Sequence, residues 1–248
     1  MRERLDKVIV KRGLAPSREA AQALIEEGKI LVRGMRGLKA SSLIEPDTEI
    51  SITGGLKYVS RGGLKLEAAL DNFGISLEHK KAIDVGASTG GFTDCLLQRG
   101  IEGVYCIDVG YGQLAWKLRQ DKRVVVLDRV NARDLSLQIV PERVEIAVID
   151  VSFISLKKII PSVVRVLKPQ AEILALVKPQ FEVGKGEVGR GGIVRDEEKR
   201  LRALRAISES FLASGLNVLG TMQSPITGYK GNIEYFIYAR LQVAPQNG

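Results

Sequence analysis

Apolar residues recur at helical spacing in two stretches near the start of the chain, at 5–9 and 20–25. Ser17 stands just before the second stretch, where a serine commonly caps the first turn of a helix. Apolar and polar residues then alternate at 30–32 and 50–52, which is the period of a half-buried strand. The chain up to residue 53 therefore predicts two helices joined by a short turn, followed by short strands.

Beyond residue 63, strand-like and helix-like stretches alternate after a first predicted helix at 64–73. Five strands that are apolar on both faces are predicted at 82–85, 104–108, 124–128, 146–150 and 173–177. Further helices are predicted near 91–99, 112–120, 155–167 and 196–214, and two last strands near 217–223 and 232–241. Strands apolar on both faces lie inside parallel sheets covered by helices. The fold class is therefore α/β, a doubly wound, mostly parallel, seven-stranded Rossmann-like sheet preceded by a small α+β module.

Glycines at both ends of the segment 54–63 indicate a connector between these two parts. We therefore expect a small domain at 1–53, a linker at 54–63 and a larger domain at 64–243.

Positive charge is concentrated in the small domain. The formal net charge of the chain is +8, which suits a polyanionic partner without identifying it. Between residues 1 and 39, ten basic side chains (Arg2, Arg4, Lys7, Lys11, Arg12, Arg18, Lys29, Arg33, Arg36, Lys39) stand against five acidic ones (Glu3, Asp6, Glu19, Glu26, Glu27).

Cys95, Cys106 and His79 are the only cysteines and the only histidine of the chain. They are too few for a disulfide framework or a metal site, so we expect neither. The charged N-terminus predicts no signal peptide, and no apolar run is long enough to span a membrane. We therefore expect a cytoplasmic protein without a membrane partner, with a monomer as the default state.

Carboxylates lie at or beside the ends of four predicted strands: Asp84, Asp108, Asp128 and Asp150. In an open α/β sheet the carboxyl ends of the strands form the edge where ligands bind. The first of these strands leads into a glycine-rich turn that lets a ligand approach the backbone and then begins a helix. The residues of this turn that we expect to bind a cofactor are Gly86, Ser88, Thr89, Gly90, Gly91 and Phe92.

The charge of the glycine-rich turn decides between two cofactors. A dinucleotide would place its pyrophosphate at the helix start, where Asp84, just before the turn, would repel it. S-adenosylmethionine carries an ammonium and a sulfonium instead, which favours a methyl donor over NAD. Asp108 is then placed to bind both ribose hydroxyls. Asp128 is placed to meet the adenine amino group, with Asn131 as the alternative contact.

Four charged residues stand where methyl transfer to a hydroxyl would need them. Asp150 ends the fourth strand, Lys178 follows the fifth, Glu234 begins the last strand, and Lys65 lies in the first turn of the helix at 64–73. Such groups in apolar surroundings are costly without partners, so two buried ion pairs are the structural alternative to a catalytic set.

The small domain resembles the RNA-binding module named after ribosomal small-subunit protein S4. The resemblance rests on residues 4–6 opening the first helix, 17–18 starting the second, and 28–34 following it. The alternative is a helical hairpin whose basic residues are simply solvated. On the resemblance, the residues expected to bind RNA are Arg2, Arg4, Lys11, Arg12, Arg18, Lys29 and Arg33.

Nearly the whole chain resembles the TlyA family, known both as haemolysin-like proteins and as 2'-O-ribose methyltransferases of ribosomal RNA. Its larger domain resembles the FtsJ-type methyltransferase, whose Lys-Asp-Lys-Glu tetrad matches Lys65, Asp150, Lys178 and Glu234. The resemblance implies S-adenosylmethionine as cofactor and ribosomal RNA or ribosomal subunits, at cytidine, as substrate. It implies that Lys178 handles the ribose proton, as a base or by stabilising a developing alkoxide. The loop at 184–192 is read as an RNA-gripping lid, with an exposed insertion as the alternative.

Three other functions remain as alternatives. The haemolysin-like name suggests a membrane-active protein, which lysis of liposomes by the pure protein would support. A non-catalytic RNA-binding sensor of S-adenosylmethionine would lack methyl transfer. A small-molecule methyltransferase would keep its activity without residues 1–53, whereas an RNA methyltransferase would lose it. RNA binding through several basic side chains should also weaken steeply with salt.

Overall fold

The N-terminal part forms a small module with its own core in this computed structural model, which describes residues 2–15, 17–53, 57–184, 186–228 and 231–242. Its helices are α1 (Leu5–Lys11) and α2 (Arg18–Glu26), and its strands are β1 (Glu3–Arg4), β2 (Ile30–Val32), β3 (Leu43–Ile44) and β4 (Ile50–Ile52). Strand β1 pairs with β3 and β2 with β4, both antiparallel. The two helices, β2 and β4 agree with the sequence prediction. Strands β1 and β3 were not predicted, because two residues carry no readable period.

The larger part is built on one seven-stranded sheet of order β10-β11-β9-β8-β5-β6-β7. Its strands are β5 (Lys81–Val85), β6 (Gly103–Asp108), β7 (Val124–Asp128), β8 (Val144–Ile149), β9 (Leu167–Val177), β10 (Leu216–Gln223) and β11 (Tyr235–Leu241). Neighbours from β7 to β9 are parallel, and β11 runs antiparallel to both β9 and β10. The first strand of this sheet along the chain, β5, lies in the middle. Strands β6 and β7 follow on one side of it, and β8 and the later strands follow on the other. The predicted doubly wound, mostly parallel sheet is confirmed.

Helices cover both faces of the sheet. They are α3 (Arg61–Phe73), α4 (Gly91–Gln98), α5 (Trp116–Arg119), α6 (Ile160–Arg165), α7 (Pro179–Glu182) and α8 (Glu197–Ala213). One buried cluster packs Leu66 and Leu70 of α3 with Leu96 of α4, and another contains Ile207 and Phe211 of α8. Between these two apolar layers, β5 pairs in parallel with β8, so the carboxyl ends of these two strands lie side by side at the point where the strand order reverses.

Several predicted boundaries were wrong. Helix α3 begins at Arg61, so the last residues of the predicted connector belong to the helix. The helix predicted at 155–167 is a 3₁₀ turn at Leu156–Lys158 followed by α6, and the helix predicted at 112–120 is only the four-residue α5. Strand β9 starts at Leu167 with exposed residues that interrupt the apolar pattern. Strand β11 begins at Tyr235, just after Glu234.

Candidate active site

The glycine-rich turn after β5 brings the backbone close to the end of β8. Gly86 has a φ of +85°, and a Cβ at this position would collide with the backbone carbonyl of Asp150. A side chain is therefore excluded both by the backbone conformation and by the neighbouring strand. Residues of the turn and of the start of α4 line a cavity at the carboxyl edge of the sheet.

Asp84 is fully buried beneath this turn. Its Oδ2 accepts hydrogen bonds from the Thr93 backbone nitrogen at 3.0 Å and from the Thr93 hydroxyl at 2.6 Å, which caps the first turn of α4. Its Oδ1 has no hydrogen-bond partner among the described residues. Burial raises the pKa of Asp84 to about 7, and the negative charges of Asp150 and Asp108 add to this increase. The site therefore holds a buried carboxyl oxygen without a partner.

Replacing Asp84 by asparagine is expected to stabilise the fold at high pH. Because the folded-state pKa is raised, the wild-type protein loses stability as the pH rises from about 4 to about 7, where only the unfolded chain has released this proton. Asparagine keeps an oxygen that can accept from Thr93 and carries no charge. We expect urea unfolding to show a gain for Asp84→Asn that is larger at pH 8 than at pH 5 by on the order of 2 kcal/mol. A gain that is equal at both pH values would show that Asp84 does not titrate in this range.

Asp108, at the end of β6, lines a cavity next to the glycine-rich turn. Its Oδ2 accepts from the Ser88 backbone nitrogen at 2.8 Å, and its Oδ1 accepts from the Gly110 nitrogen at 2.7 Å. The cavity has a volume of about 460 Å³, and Asn131 and Gln113 also line it. The carboxylate is thus fixed by backbone donors at the cavity wall, which is the arrangement expected for binding a diol.

Asp128 is placed differently from the sequence expectation. Its Oδ2 accepts from Arg119 at 2.7 Å and from the Gly112 backbone nitrogen at 3.2 Å, and these bonds lower its pKa. The residues lining the cavity at this end include Asn131 but not Asp128. Of the two predicted adenine contacts, the geometry therefore favours Asn131, and Asp128 holds α5 against the sheet.

A second cavity, of about 480 Å³, adjoins the first and shares Gly86, Ser88, Gln113 and Asp150 with it. Thr89, Gly91 and Phe92 of the predicted set line this second cavity, whereas Gly90 lines neither. Gln113 was missed by the sequence analysis because it lies in a stretch predicted to be helical. The two adjoining cavities form one trough along the carboxyl edge of the sheet.

The four predicted catalytic residues form two ion pairs beside this trough. Lys65 Nζ lies 2.7 Å from Glu234 Oε2, and these two residues are only 8% and 2% exposed. Lys178 Nζ lies 2.5 Å from Asp150 Oδ1 and donates to the Ser152 hydroxyl at 2.9 Å. All four side chains come from separate elements, and the fold brings them to one end of the trough.

A third cavity, of about 550 Å³, opens on the far side of these ion pairs. Lys65, Lys178 and Glu234 line it together with two aromatic residues, Phe153 and Phe181. Phe153 is 89% exposed, has a φ of +65° and lies with its ring centroid 5.0 Å from that of Phe181. A bulky residue in the left-handed region is strained, and such strain persists where the surrounding structure requires it. The ion pairs thus lie between the trough and the third cavity, and Phe153 lines both the third cavity and the first.

Backbone close to Glu234 fixes the position of its carboxylate. A Cβ at Gly228 would fall on the Glu234 carboxylate, so only glycine fits there. Gln180 donates to the other carboxylate oxygen, Oε1, at 3.5 Å. Neither residue was singled out from the sequence, although Gln180 stands two positions after Lys178.

The loop predicted as a lid is held next to the third cavity. Val188, Gly191 and Gly192 line that cavity, and Gly189 forms a bridge with Ile193. Buried Asn232 donates to the Gly192 carbonyl at 2.9 Å and accepts from the Val194 nitrogen at 3.1 Å. Lys185, which belongs to the predicted lid, lies outside the described residues. The lid remains a prediction, and the loop has a defined position beside Glu234.

Most of the residues predicted to bind RNA are engaged within the N-terminal module. Asp6 is buried and accepts from Arg4 and Arg18, each at 2.9 Å. Burial would raise the pKa of Asp6, but hydrogen bonds from Arg4, Arg18 and Gln22 lower it well below its usual range. The two arginines are thereby fixed side by side, with side chains 39% and 48% exposed.

The other predicted RNA-binding residues differ in their contacts. Lys11 pairs with Glu3 at 2.8 Å, and Lys29 pairs with Glu27 at 2.8 Å. Arg12 donates to the carbonyls of Thr48 and Pro46, and Arg2 lies 4.0 Å from Glu45. Arg33 is exposed, and no ion pair of its side chain is found among the described residues.

The N-terminal module packs directly against the trough. Glu19 of α2 lines the second cavity together with Ser60 and Arg61, and Arg61 forms an ion pair with Glu26 of α2. The module and the site are therefore adjacent, which the sequence did not indicate.

This combination of a methyltransferase sheet, a glycine-rich turn with carboxylates and a separate S4-like module defines a class of protein. The family model for FtsJ-like methyltransferases matches residues 58–241, and the S4 domain model matches residues 3–50. The chain belongs to the FtsJ-like methyltransferase family and, within it, to the TlyA group.

The relatives that support this assignment cover nearly the whole chain. "16S/23S rRNA (cytidine-2'-O)-methyltransferase TlyA" of Mycobacterium tuberculosis is 45% identical over 97% of this chain and 91% of its own length. "Putative rRNA methyltransferase YqxC" of Bacillus subtilis is 46% identical over 100% of this chain and 89% of its own length. The solved structure "Putative hemolysin from Streptococcus thermophilus" has a TM-score of 0.79 at 42% identity, covering 99% of this chain and 90% of that one. Among the described residues, no helix is both long and apolar enough to cross a membrane.

Proposed function

We propose that this chain transfers the methyl group of S-adenosylmethionine to the 2'-hydroxyl of a cytidine ribose in ribosomal RNA. The observation that carries the proposal is the position of the two lysine–carboxylate pairs, between a trough edged by carboxylates and a cavity with an exposed aromatic ring. The names of the relatives supply the substrate, since that of Mycobacterium tuberculosis includes cytidine and 2'-O.

The residues of the trough fit S-adenosylmethionine. Asp108 and Asp150 line the trough, and Asp84 lies beneath the turn with a buried Oδ1 that has no partner among the described residues, so a cation would be stabilised here. Asp108 would bind the ribose hydroxyls and Asn131 the adenine. Gly86 lets the turn lie close to the end of β8, because a Cβ there would meet the backbone carbonyl of Asp150. When bound, the cofactor supplies a methyl carbon that its sulfonium activates for displacement.

The residues of the ion pairs would orient the RNA hydroxyl and manage its proton. Lys178 is held by Asp150 and Ser152, so its ammonium has a fixed position at the boundary of trough and cavity. As a neutral amine Lys178 would take the proton from the 2'-hydroxyl and become an ammonium, whereas as an ammonium it would stabilise the developing alkoxide. Lys65 and Glu234 lie on the same cavity wall and would hold the ribose by hydrogen bonds. In-line displacement needs this positioning more than it needs a strong base.

Phe153 would provide an apolar surface for the base of the target nucleotide. Stacking of a base on an aromatic ring contributes on the order of 1–3 kcal/mol. We therefore expect Phe153→Ala to lower kcat/KM for RNA by about 10-fold or more. Phe153→Tyr, which keeps the ring, is the matched control and should retain most of the activity. If Phe153→Ala keeps the wild-type kcat/KM, Phe153 does not contact the RNA substrate.

The test of the proposed function is transfer of radiolabelled methyl from S-adenosylmethionine to 16S and 23S ribosomal RNA, as free RNA and in isolated subunits. After complete nuclease digestion, the label should elute as 2'-O-methylcytidine. Label on a base, or on another ribose, would contradict the proposal. Binding of S-adenosylmethionine by calorimetry without any methyl transfer would favour the alternative of a non-catalytic RNA-binding sensor.

A further inference from the structure

A groove on the N-terminal module combines basic and apolar side chains that the proposed active site does not use. We call it the β2–β3 groove. It has a volume of about 490 Å³ and lies between the turn after β2 and strand β3. Its lining includes three arginines, Arg2, Arg33 and Arg36, and three exposed apolar side chains, Met35, Leu38 and Leu43.

The apolar side chains of the β2–β3 groove are unusually exposed for their size. Met35 is 68% and Leu43 62% exposed, although the module has a complete core of its own beneath them. A contiguous exposed apolar surface, rimmed by polar residues, indicates a binding site rather than incomplete packing.

The arginines of the groove differ from the other basic residues of the module. Arg4 and Arg18 are held by buried Asp6, whereas the side chains of Arg33 and Arg36 form no ion pair or hydrogen bond among the described residues. Their charges are therefore not neutralised within the module. Glu45 is the one acidic residue in the groove lining, so the surface is positively charged.

The turn that carries these residues has a defined conformation. Val32 and Met35 exchange backbone hydrogen bonds of 2.9 and 3.0 Å. Arg33 adopts a φ of +50°, which is unfavourable for a residue with a side chain. The backbone hydrogen bonds of the turn therefore place Arg33 and Met35 together at the groove.

The chemistry of the groove selects its occupant. Unpaired charges of Arg33 and Arg36 fit phosphates, and the apolar floor fits a flat, poorly hydrated group beside them. A paired RNA helix offers phosphates but shields its bases, whereas an unpaired nucleotide offers both groups together. We propose that the β2–β3 groove binds an unpaired RNA base, whose flanking phosphates contact Arg33 and Arg36. This inference rests on the proposed function, in which RNA is the substrate.

The first test uses a cysteine as a reporter of groove occupancy. Cys95 and Cys106 are buried, so Leu43→Cys introduces an accessible thiol at the groove, and Leu212→Cys on α8 gives a matched thiol elsewhere, at a leucine 55% exposed. Maleimide labelling is followed with and without two RNA probes of equal length, a hairpin with an unpaired loop and a fully paired hairpin closed by a short linker. We expect the looped probe to slow labelling of Leu43→Cys at least about 5-fold. The paired probe should protect it much less, and neither probe should protect Leu212→Cys.

The second test separates the apolar floor from the charges. Leu38→Ser combined with Leu43→Ser should weaken binding of the looped probe by about 5- to 50-fold and leave its salt dependence unchanged. Arg33→Ala combined with Arg36→Ala should weaken both probes. For the looped probe it should reduce the slope of log K against log salt by about 1.4, since each phosphate contact of a single strand contributes about 0.7. Leu212→Ser is the control for the leucine variants and should bind as wild type does. All four groove residues are exposed, so circular dichroism should show unchanged folding.

The outcomes distinguish this proposal from the proposed function. Suppose that the wild-type protein methylates ribosomal RNA and that the leucine variants bind the looped probe with wild-type affinity. The groove proposal is then overturned, and the proposed methyltransferase function stands. If these variants lose methylation only on assembled subunits and bind naked RNA normally, the occupant is a ribosomal protein and the proposal is also overturned. If wild type binds neither probe and methylates no ribosomal RNA, the proposed function fails with it.

Discussion

Replacing Lys178 by alanine is expected to lower kcat for methyl transfer to ribosomal RNA by about 10³-fold, which is in the range of a lost general base or charge stabiliser. Lys178 is the one member of the two ion pairs that also donates to Ser152, at the boundary of the trough and the third cavity. In the proposed mechanism, its removal deletes a positive charge that would lie beside the reacting hydroxyl. The affinity for S-adenosylmethionine, measured by calorimetry, should change little, because the trough residues remain.

Lys168→Ala is the matched control for Lys178→Ala. Lys168 also forms an ion pair with a glutamate, Glu145, but it lies at the opposite end of β9 from the site. Its loss should leave kcat unchanged. Nearly wild-type kcat in Lys178→Ala would show that the hydroxyl proton leaves by another route and that the second ion pair is structural.

Lys178→Arg separates the two roles that remain open for this lysine. Arginine keeps the positive charge and does not release its proton in proteins. If Lys178 stabilises a developing alkoxide, Lys178→Arg should retain a measurable part of the activity that alanine loses. If Lys178 acts as a base, arginine should be as inactive as alanine across the whole pH range. The comparison of the two variants in single-turnover assays makes this distinction independent of RNA release.

The positions of the four charged residues could be predicted because each stands at a defined point of a strongly patterned element. Asp150 and Lys178 follow apolar strands that the sequence shows clearly, and parallel strands bring such residues to one edge. Lys65 and Glu234 could be placed in the first turn of a helix and at the start of the last strand, but nothing in their local pattern indicates that these two elements meet. The structure joins them at 2.7 Å.

Other parts of the site depend on tertiary contacts that a sequence pattern does not contain. Asp128 follows the strand pattern as well as Asp108 does, yet Arg119 of α5 takes its carboxylate. Arg119 is the last residue of α5, which is shorter than the helix that the sequence predicted at 112–120. Asn232 and Phe153 act through loops whose paths have no periodicity, so neither could be found before the fold was known.

Replacing Glu234 by alanine is expected to cause the largest loss of stability among the site variants. Lys65 and Glu234 are almost completely buried, and removal of one partner leaves an uncompensated charge in the interior. Such a change costs about 3–5 kcal/mol, more than most single substitutions. Urea unfolding of Glu234→Ala should show this loss as a lower midpoint with an unchanged slope.

Two further variants show whether the loss comes from the unpaired charge. Lys65→Met combined with Glu234→Leu removes both charges, so it should recover much of the stability while remaining inactive, since buried ion pairs often stabilise no more than apolar residues of similar volume. Glu142→Ala breaks the Lys81–Glu142 pair, which has the same length of 2.7 Å but is 42% and 39% exposed, and should cost clearly less. If the double variant is as unstable as Glu234→Ala alone, the loss reflects disrupted packing around Gly228 and Gln180. A stable but inactive double variant would instead mean that this buried pair is kept for its chemistry and not for the stability of the fold.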